Sequence, residues 1–129
     1  MKLKRLTALA LAPVTWYASA AAPTGDAAAG KATFSACASC HQVGSAARNG
    51  FGPQLNGIVG RRAGTASGYN YSLAMKGSKI VWSEEVLAAF LRDPDQVVPG
   101  TKMRFSGIAY SDRKVADLAA YLRNFPPSD

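Results

Sequence analysis

Histidine is nearly absent from this 129-residue chain, which holds a single one, His41. Cysteine is almost as scarce, with two residues, and Asp and Glu number eight against fifteen Lys and Arg. A zinc site draws about four ligands from Cys, His or carboxylate, so two Cys and one His leave it short. No apolar run reaches the roughly 20 residues of a membrane-spanning helix. The longest, ending at Val14, follows Lys2, Lys4 and Arg5 and precedes the small-x-small site Ala18-Ser19-Ala20. Residues 1–20 therefore read as a secretory signal peptide, and residues 21–129 as one domain without stable membrane insertion. Removing the leader takes the balance to twelve basic and eight acidic side chains, a net +4 rather than +7. That weakens any nucleic-acid reading.

Alternating apolar runs are missing too, which argues against a sheet and against a thioredoxin-like strand–helix setting for the cysteines. Three helices can be read instead. The first spans about Asp26 to Cys40, with Asp26 as N-cap and Gly30, Phe34 and Cys37 on one stripe. The second starts after Ser83, where Glu84 and Glu85 suit the positive end of the helix dipole, and stops at Asp93-Pro94. The third starts after Ser111, carries Val115, Leu118, Ala119 and Leu122 on one face, and ends before Pro126-Pro127. Eight of the twelve glycines fall between Gly44 and Gly77. More than about fifteen residues without regular structure are unusual in a small domain. Phe51, Leu55, Ile58, Val59, Tyr69, Tyr71, Ile80 and Trp82 load this segment with apolar surface and disfavour disorder. Such a loop is expected to wrap a large apolar object that the chain itself does not supply.

The object is indicated by Cys37-Ala38-Ser39-Cys40-His41, since Cys-x-x-Cys-His is the attachment signature of a c-type haem. Residues three apart on a helical turn share a face, so both sulfurs can reach neighbouring vinyl groups, and the next residue can bring an imidazole over the ring centre. A structural disulfide between Cys37 and Cys40 is the blander reading, and it leaves His41 and the glycine-rich segment unexplained. With no second histidine, a further iron ligand must be sulfur, from Met75 or Met103. Met103 lies in the Pro- and Gly-bounded loop Val98 to Gly107 and is the expected ligand. Met75, in the turn Tyr71 to Lys76, is expected to fill core volume.

From Gly25 to Leu122 these motifs resemble the class I c-type cytochromes, of the mitochondrial-like kind that includes short bacterial mobile cytochromes. The resemblance rests on Gly52-Pro53-Gln54-Leu55-Asn56-Gly57-Ile58-Val59-Gly60-Arg61, Gly68-Tyr69-Asn70-Tyr71, Val81-Trp82-Ser83-Glu84-Glu85 and Pro99-Gly100-Thr101-Lys102-Met103, and on their spacing from His41. It implies an all-α fold of three main helices, short helical turns and long loops around one haem c held by Cys37 and Cys40. It also implies iron ligation by His41 and Met103, with the Pro53 carbonyl orienting the imidazole. Tyr71, Trp82 and Arg61 would pair a buried haem propionate, because a buried carboxylate is costly unless paired. Gly30 and Phe34 would cross the last helix near Leu118 and Tyr121. The sequence departs from the pattern at Phe90, where a Tyr is usual, and at Met75, where Asn is common; both make the surroundings drier. Lys102, Arg104 and Arg48 keep part of the family's basic ring, but Ala36, Gly50 and Asp95 stand where lysine is common. The function so implied is a monomeric periplasmic electron carrier, not an enzyme. Its partners would be a quinol–cytochrome c reductase or dehydrogenase and a terminal oxidase or photosynthetic reaction centre. The alternative is a haem enzyme or gas-binding sensor with an open iron site.

Overall fold

A computed structural model describes residues 24–128; the leader assigned to residues 1–20 lies outside them. Among the described residues five helices form: α1 (Ala27–Phe34), α2 (Leu73–Gly77), α3 (Glu84–Arg92), α4 (Pro94–Val97) and α5 (Asp112–Leu122). Each begins where a short polar side chain meets the unpaired N–H groups of a first turn. Asp26 accepts from Ala28 and Ala29, Ser72 from Met75, Ser83 from Val86, Asp93 from Gln96, and Ser111 from Lys114. Pro94 stops α3 and opens α4, because its fixed φ and missing N–H suit a first helical position.

The first helix is shorter than its apolar stripe suggests. It ends at Phe34, and Ser35 to Cys40 follow as tight turns. The cause is local: the Ser35 N–H donates to the Ala32 carbonyl and the Ala36 N–H to the Thr33 carbonyl, both at 3.3 Å, and the Ser35 hydroxyl also donates to Ala32 O at 2.7 Å. A serine hydroxyl that competes for helix carbonyls weakens the regular ladder. Cys37 N then bonds Phe34 O (2.8 Å) and His41 N bonds Cys37 O (2.9 Å), so the Cys-x-x-Cys-His segment is wound but not regular helix.

α1 crosses α5 at contact distance. A Cβ on Gly30 would lie 1.9 Å from Asp117 O and 2.8 Å from Tyr121 Cβ, so only glycine permits this approach. Asp117, buried, accepts the Asp26 N–H at 2.7 Å and Arg113 Nε at 3.0 Å, tying the start of α1 to the middle of α5. Phe34 packs on Tyr121 with ring centroids 5.5 Å apart. α3 runs antiparallel to α5: Arg92 at its end pairs Asp112, and Glu84 at its start pairs Arg123. Exposed pairs of this kind are worth about 0–1 kcal/mol each, so they set direction more than stability. The long Gly-rich segment adds only one isolated antiparallel bridge, Arg62 to Val81. Leu55, Ile58, Tyr71 and Trp82 turn inward with side chains of α3 and α5 and face a common cavity, whereas Phe51 stays exposed.

Candidate functional site

That cavity has a volume of about 730 Å³ and reaches from Phe34 to Leu122. Cys37, Cys40 and His41 line it from the turns after α1, and Pro53, Arg61, Tyr71 and Trp82 from the loops that follow. Phe90 and Leu91 of α3, Leu118 of α5 and the loop residue Met103 complete it. Every site residue expected from the sequence therefore borders one space.

His41 is held more tightly than its neighbours. Its Nδ1 lies 2.8 Å from Pro53 O. A carbonyl can only accept, so Nδ1 carries the hydrogen and the lone pair stays on Nε2. Gly52 packs flat against the ring: a Cβ there would sit 2.5 Å from His41 Cε1. Burial pulls the imidazole pKa below its usual value; the bond to Pro53 opposes this, and the Arg61 charge adds to it. A neutral ring with a fixed tautomer is a ready metal ligand.

The cysteines are free thiols. Burial, with Cys40 as a near neighbour, raises the Cys37 pKa. Both residues line the cavity from the turns that follow α1.

Arg61 shows most clearly that the cavity has a polar requirement. Its two terminal nitrogens donate to Asn56 O (2.8 Å) and Gln54 O (3.1 Å), which aims the guanidinium inward. Its Nε is buried with no partner. An unpaired buried donor costs about 1–3 kcal/mol, so an acceptor belongs beside it. Burial holds the guanidinium below the usual arginine range, while nearby Tyr71 pulls the other way. The Tyr71 hydroxyl accepts from Ala66 N–H at 3.2 Å, which leaves its own proton to donate. Trp82 is buried against Phe90 at 4.9 Å between ring centroids. Its backbone is fixed at both ends, N–H to Arg61 O (3.0 Å) and carbonyl to Gly60 N–H (2.7 Å).

The two methionines both border the cavity, and they differ in setting. Met75 is buried on α2 within the core; Met103 is half-buried on a loop, its N–H on Thr101 Oγ1 at 3.3 Å. Lys102 beside it reaches across to Asn70 O at 2.8 Å. The sequence reading missed two supports. Asn56 is buried and pins Gly44 through both its side-chain atoms (2.8 and 2.9 Å) while its carbonyl aims Arg61. Gly52 shapes the seat of His41. Both stand in the Gly52–Arg61 motif without an assigned role, and neither carries chemistry visible in one dimension.

An apolar chamber, a metal-ready imidazole, two thiols and an orphaned inward donor fit a haem with a buried propionate. Residues 27–126 match the cytochrome c family. The chain belongs to that family. Cytochromes c bind haem covalently and carry electrons; they are not enzymes. Among curated relatives, this cytochrome is 48% identical over 100 residues to cytochrome c2 of Blastochloris viridis, covering 78% of each chain. It is 42% identical over 126 residues to cytochrome c-554 of Methylosinus trichosporium, covering 95% of each. Of solved structures, cytochrome cH from Methylobacterium extorquens superposes with a TM-score of 0.71 at 46% identity, covering 78% of this chain and 99% of that one. Cytochrome c2 from Rhodospirillum centenum gives 0.72 at 36%, covering 80% and 100%. The fold is thus the small all-α cytochrome c fold. No helix among the described residues is long and apolar enough to cross a membrane.

Proposed function

We propose that this cytochrome is a periplasmic single-electron carrier in which Cys37 and Cys40 attach the haem and His41 and Met103 ligate its iron. The observation that carries the reading is the 2.8 Å contact of His41 Nδ1 with Pro53 O, which leaves the Nε2 lone pair free to ligate a metal. When bound, the group supplies a reversible one-electron couple, and His/Met ligation raises its potential. The protein's part is to hold that couple still. Gly52 and Pro53 fix the imidazole plane, and the Thr101 contact helps hold the Met103 loop. Arg61, Tyr71 and Trp82 would face a propionate, the first with its unpartnered Nε. Phe90 and Met75, both buried, bring no hydroxyl or amide group to the cavity they line. Residues 1–20 are read as the export leader and residues 21–129 as the mature domain.

Its donor would be a quinol–cytochrome c reductase or dehydrogenase, and its acceptor a terminal oxidase or reaction centre. Purified from a host that attaches haem, it should titrate reversibly with one electron and turn over no small substrate. N-terminal sequencing should begin near Ala21. Rapid carbon monoxide binding by the reduced protein at neutral pH would overturn the carrier reading in favour of an open-iron enzyme or sensor.

A further inference from the structure

Pro126, Pro127 and Ser128 lie exposed beyond α5, where a solvated segment needs no partner. They nevertheless pack on the loop that carries Arg61. Gly57 N–H donates to Phe125 O at 2.7 Å. A Cβ on Gly57 would lie 2.6 Å from Pro127 Cγ and 2.9 Å from its Cα, so the proline rests on that glycine. The Asn56 side-chain amide adds a longer bond to Ser128 Oγ at 3.4 Å. Proline fixes its own φ and steers the residue before it away from helix. Pro126 thereby turns Phe125 out of the helical path, and its carbonyl meets Gly57 instead of a helix N–H. The two prolines also start with few conformations to lose, so laying them on the loop costs little entropy. The Phe125 ring holds the near end, edge-on to Tyr121 with centroids 5.1 Å apart.

What this segment grips is one peptide unit. Asn56 and Gly57 are joined by a trans bond, and the C=O and N–H of a trans peptide point to opposite sides. On one side Gly57 N–H meets Phe125 O; on the other Asn56 O accepts Arg61 Nη1 at 2.8 Å. Rotation of the plane away from Phe125 carries the Asn56 carbonyl off Arg61 as well. Hydrogen bonds in series polarise one another in a buried setting, and Asn56 is only 4% exposed. Gln54 O supplies a second and longer hold, on Nη2 at 3.1 Å. Arg61 Nε stays buried without a partner. The aim of this guanidinium is thus braced from a residue 64 positions further along the chain.

We propose that Phe125 and Pro127 are positioning residues for Arg61, and that through the Asn56–Gly57 peptide they set the reduction potential of the haem. The proposal rests on the reading that Arg61 faces a haem propionate. A cation held beside that carboxylate favours the reduced iron, which carries one positive charge fewer than the oxidised iron. Freeing the Asn56–Gly57 peptide lets the guanidinium swing toward water, and the potential falls.

The test compares four haem-loaded proteins: the unmodified chain, P126G/P127G, R61Q and the combination of the two. The double-glycine change leaves every charge in place. By reversible titration, P126G/P127G should lower the potential by at least half the drop produced by R61Q. In the R61Q background it should lower it no further. Hydrogen exchange at Gly57 N–H, followed by nitrogen-15 NMR of the reduced protein, should speed up about tenfold, as expected for the loss of one hydrogen bond. A structural role alone would cost stability without moving the potential. An unchanged potential in P126G/P127G, or the same drop with and without Arg61, would overturn the proposal. If R61Q itself keeps the unmodified potential, Arg61 faces no propionate, and the underlying reading falls together with the proposal. Should P126G/P127G fail to load haem, P127A removes only the ring resting on Gly57 and carries the same cycle. A smaller drop that depends on Arg61 is then expected, and no drop overturns the proposal.

Discussion

Two methionines border one cavity, and substitution separates their roles. Met103→Ala should abolish the sulfur-to-iron charge-transfer absorption of the oxidised protein and lower its potential, with weak peroxidase activity appearing. Met75→Leu conserves volume in a packed core, so it should cost less than about 1.5 kcal/mol and leave the band in place. An intact band in Met103→Ala would refute the ligand assignment. Tyr71 offers a test by pH. Burial raises its phenol pKa; the Ala66 N–H and the Arg61 charge lower it, and Tyr69 raises it slightly. A group whose folded pKa is raised stabilises the fold below its unfolded value and loses that contribution as pH climbs through the folded one. The Tyr71 contribution is therefore complete below pH about 10 and fades above it. An ultraviolet titration of the native protein minus that of Tyr71→Phe should show a phenol ionising above pH 10. A difference curve with its midpoint below 10 would contradict the burial.

At the scale of elements, the crossing of α1 and α5 sets the frame. Ala is favoured over Gly inside a helix by about 1 kcal/mol, so Gly30→Ala would stabilise an isolated α1. In the folded protein the new methyl group lies 1.9 Å from Asp117 O, and both helices must part. Forced overpacking costs about 1–3 kcal/mol, occasionally more, and here it meets backbone rather than a movable side chain. Urea unfolding should show a net loss of about 2 kcal/mol. A gain would mean that the helices do not meet at this glycine. Asp117 sits at the same crossing and serves two donors. Asp117→Asn keeps the shape and weakens the charge-assisted bond to Arg113, so it should cost less than Asp117→Ala, which orphans the Asp26 N–H.

On the scale of the whole molecule, the core is a wall around a space. The apolar side chains of α3, α5 and the Gly-rich loops pack on one another and also border a shared space of about 730 Å³. Side chains that line such a space lack the partner atoms of a packed core unless a large apolar group fills it. The double variant Cys37→Ala, Cys40→Ala, made without haem, should therefore lose most of its helical circular dichroism and its cooperative unfolding. A sharp, native-like melting transition in that variant would show that the walls hold themselves apart.

Local chemistry decided what the sequence could announce by itself. Short polar residues mark the helix starts, Pro94 marks a stop, and Cys37 to His41 mark the haem, because each acts through neighbours a few positions away. The Gly-rich stretch could be read as a wrap because its apolar load had no partner nearby in sequence. The end of α1 could not be read, since Ser35 competes for carbonyls within a stripe whose period continues past it. Nor could the inward aim of Arg61, the seat that Gly52 makes for the imidazole, or the exposure of Phe51. Those depend on Asn56 and Gln54 carbonyls, on a ring eleven residues before Gly52, and on the Tyr69 hydroxyl eighteen residues beyond Phe51. Hydrogen bonds and van der Waals contact act over a few ångströms in space, so only the folded chain, which brings distant residues that close, could settle them.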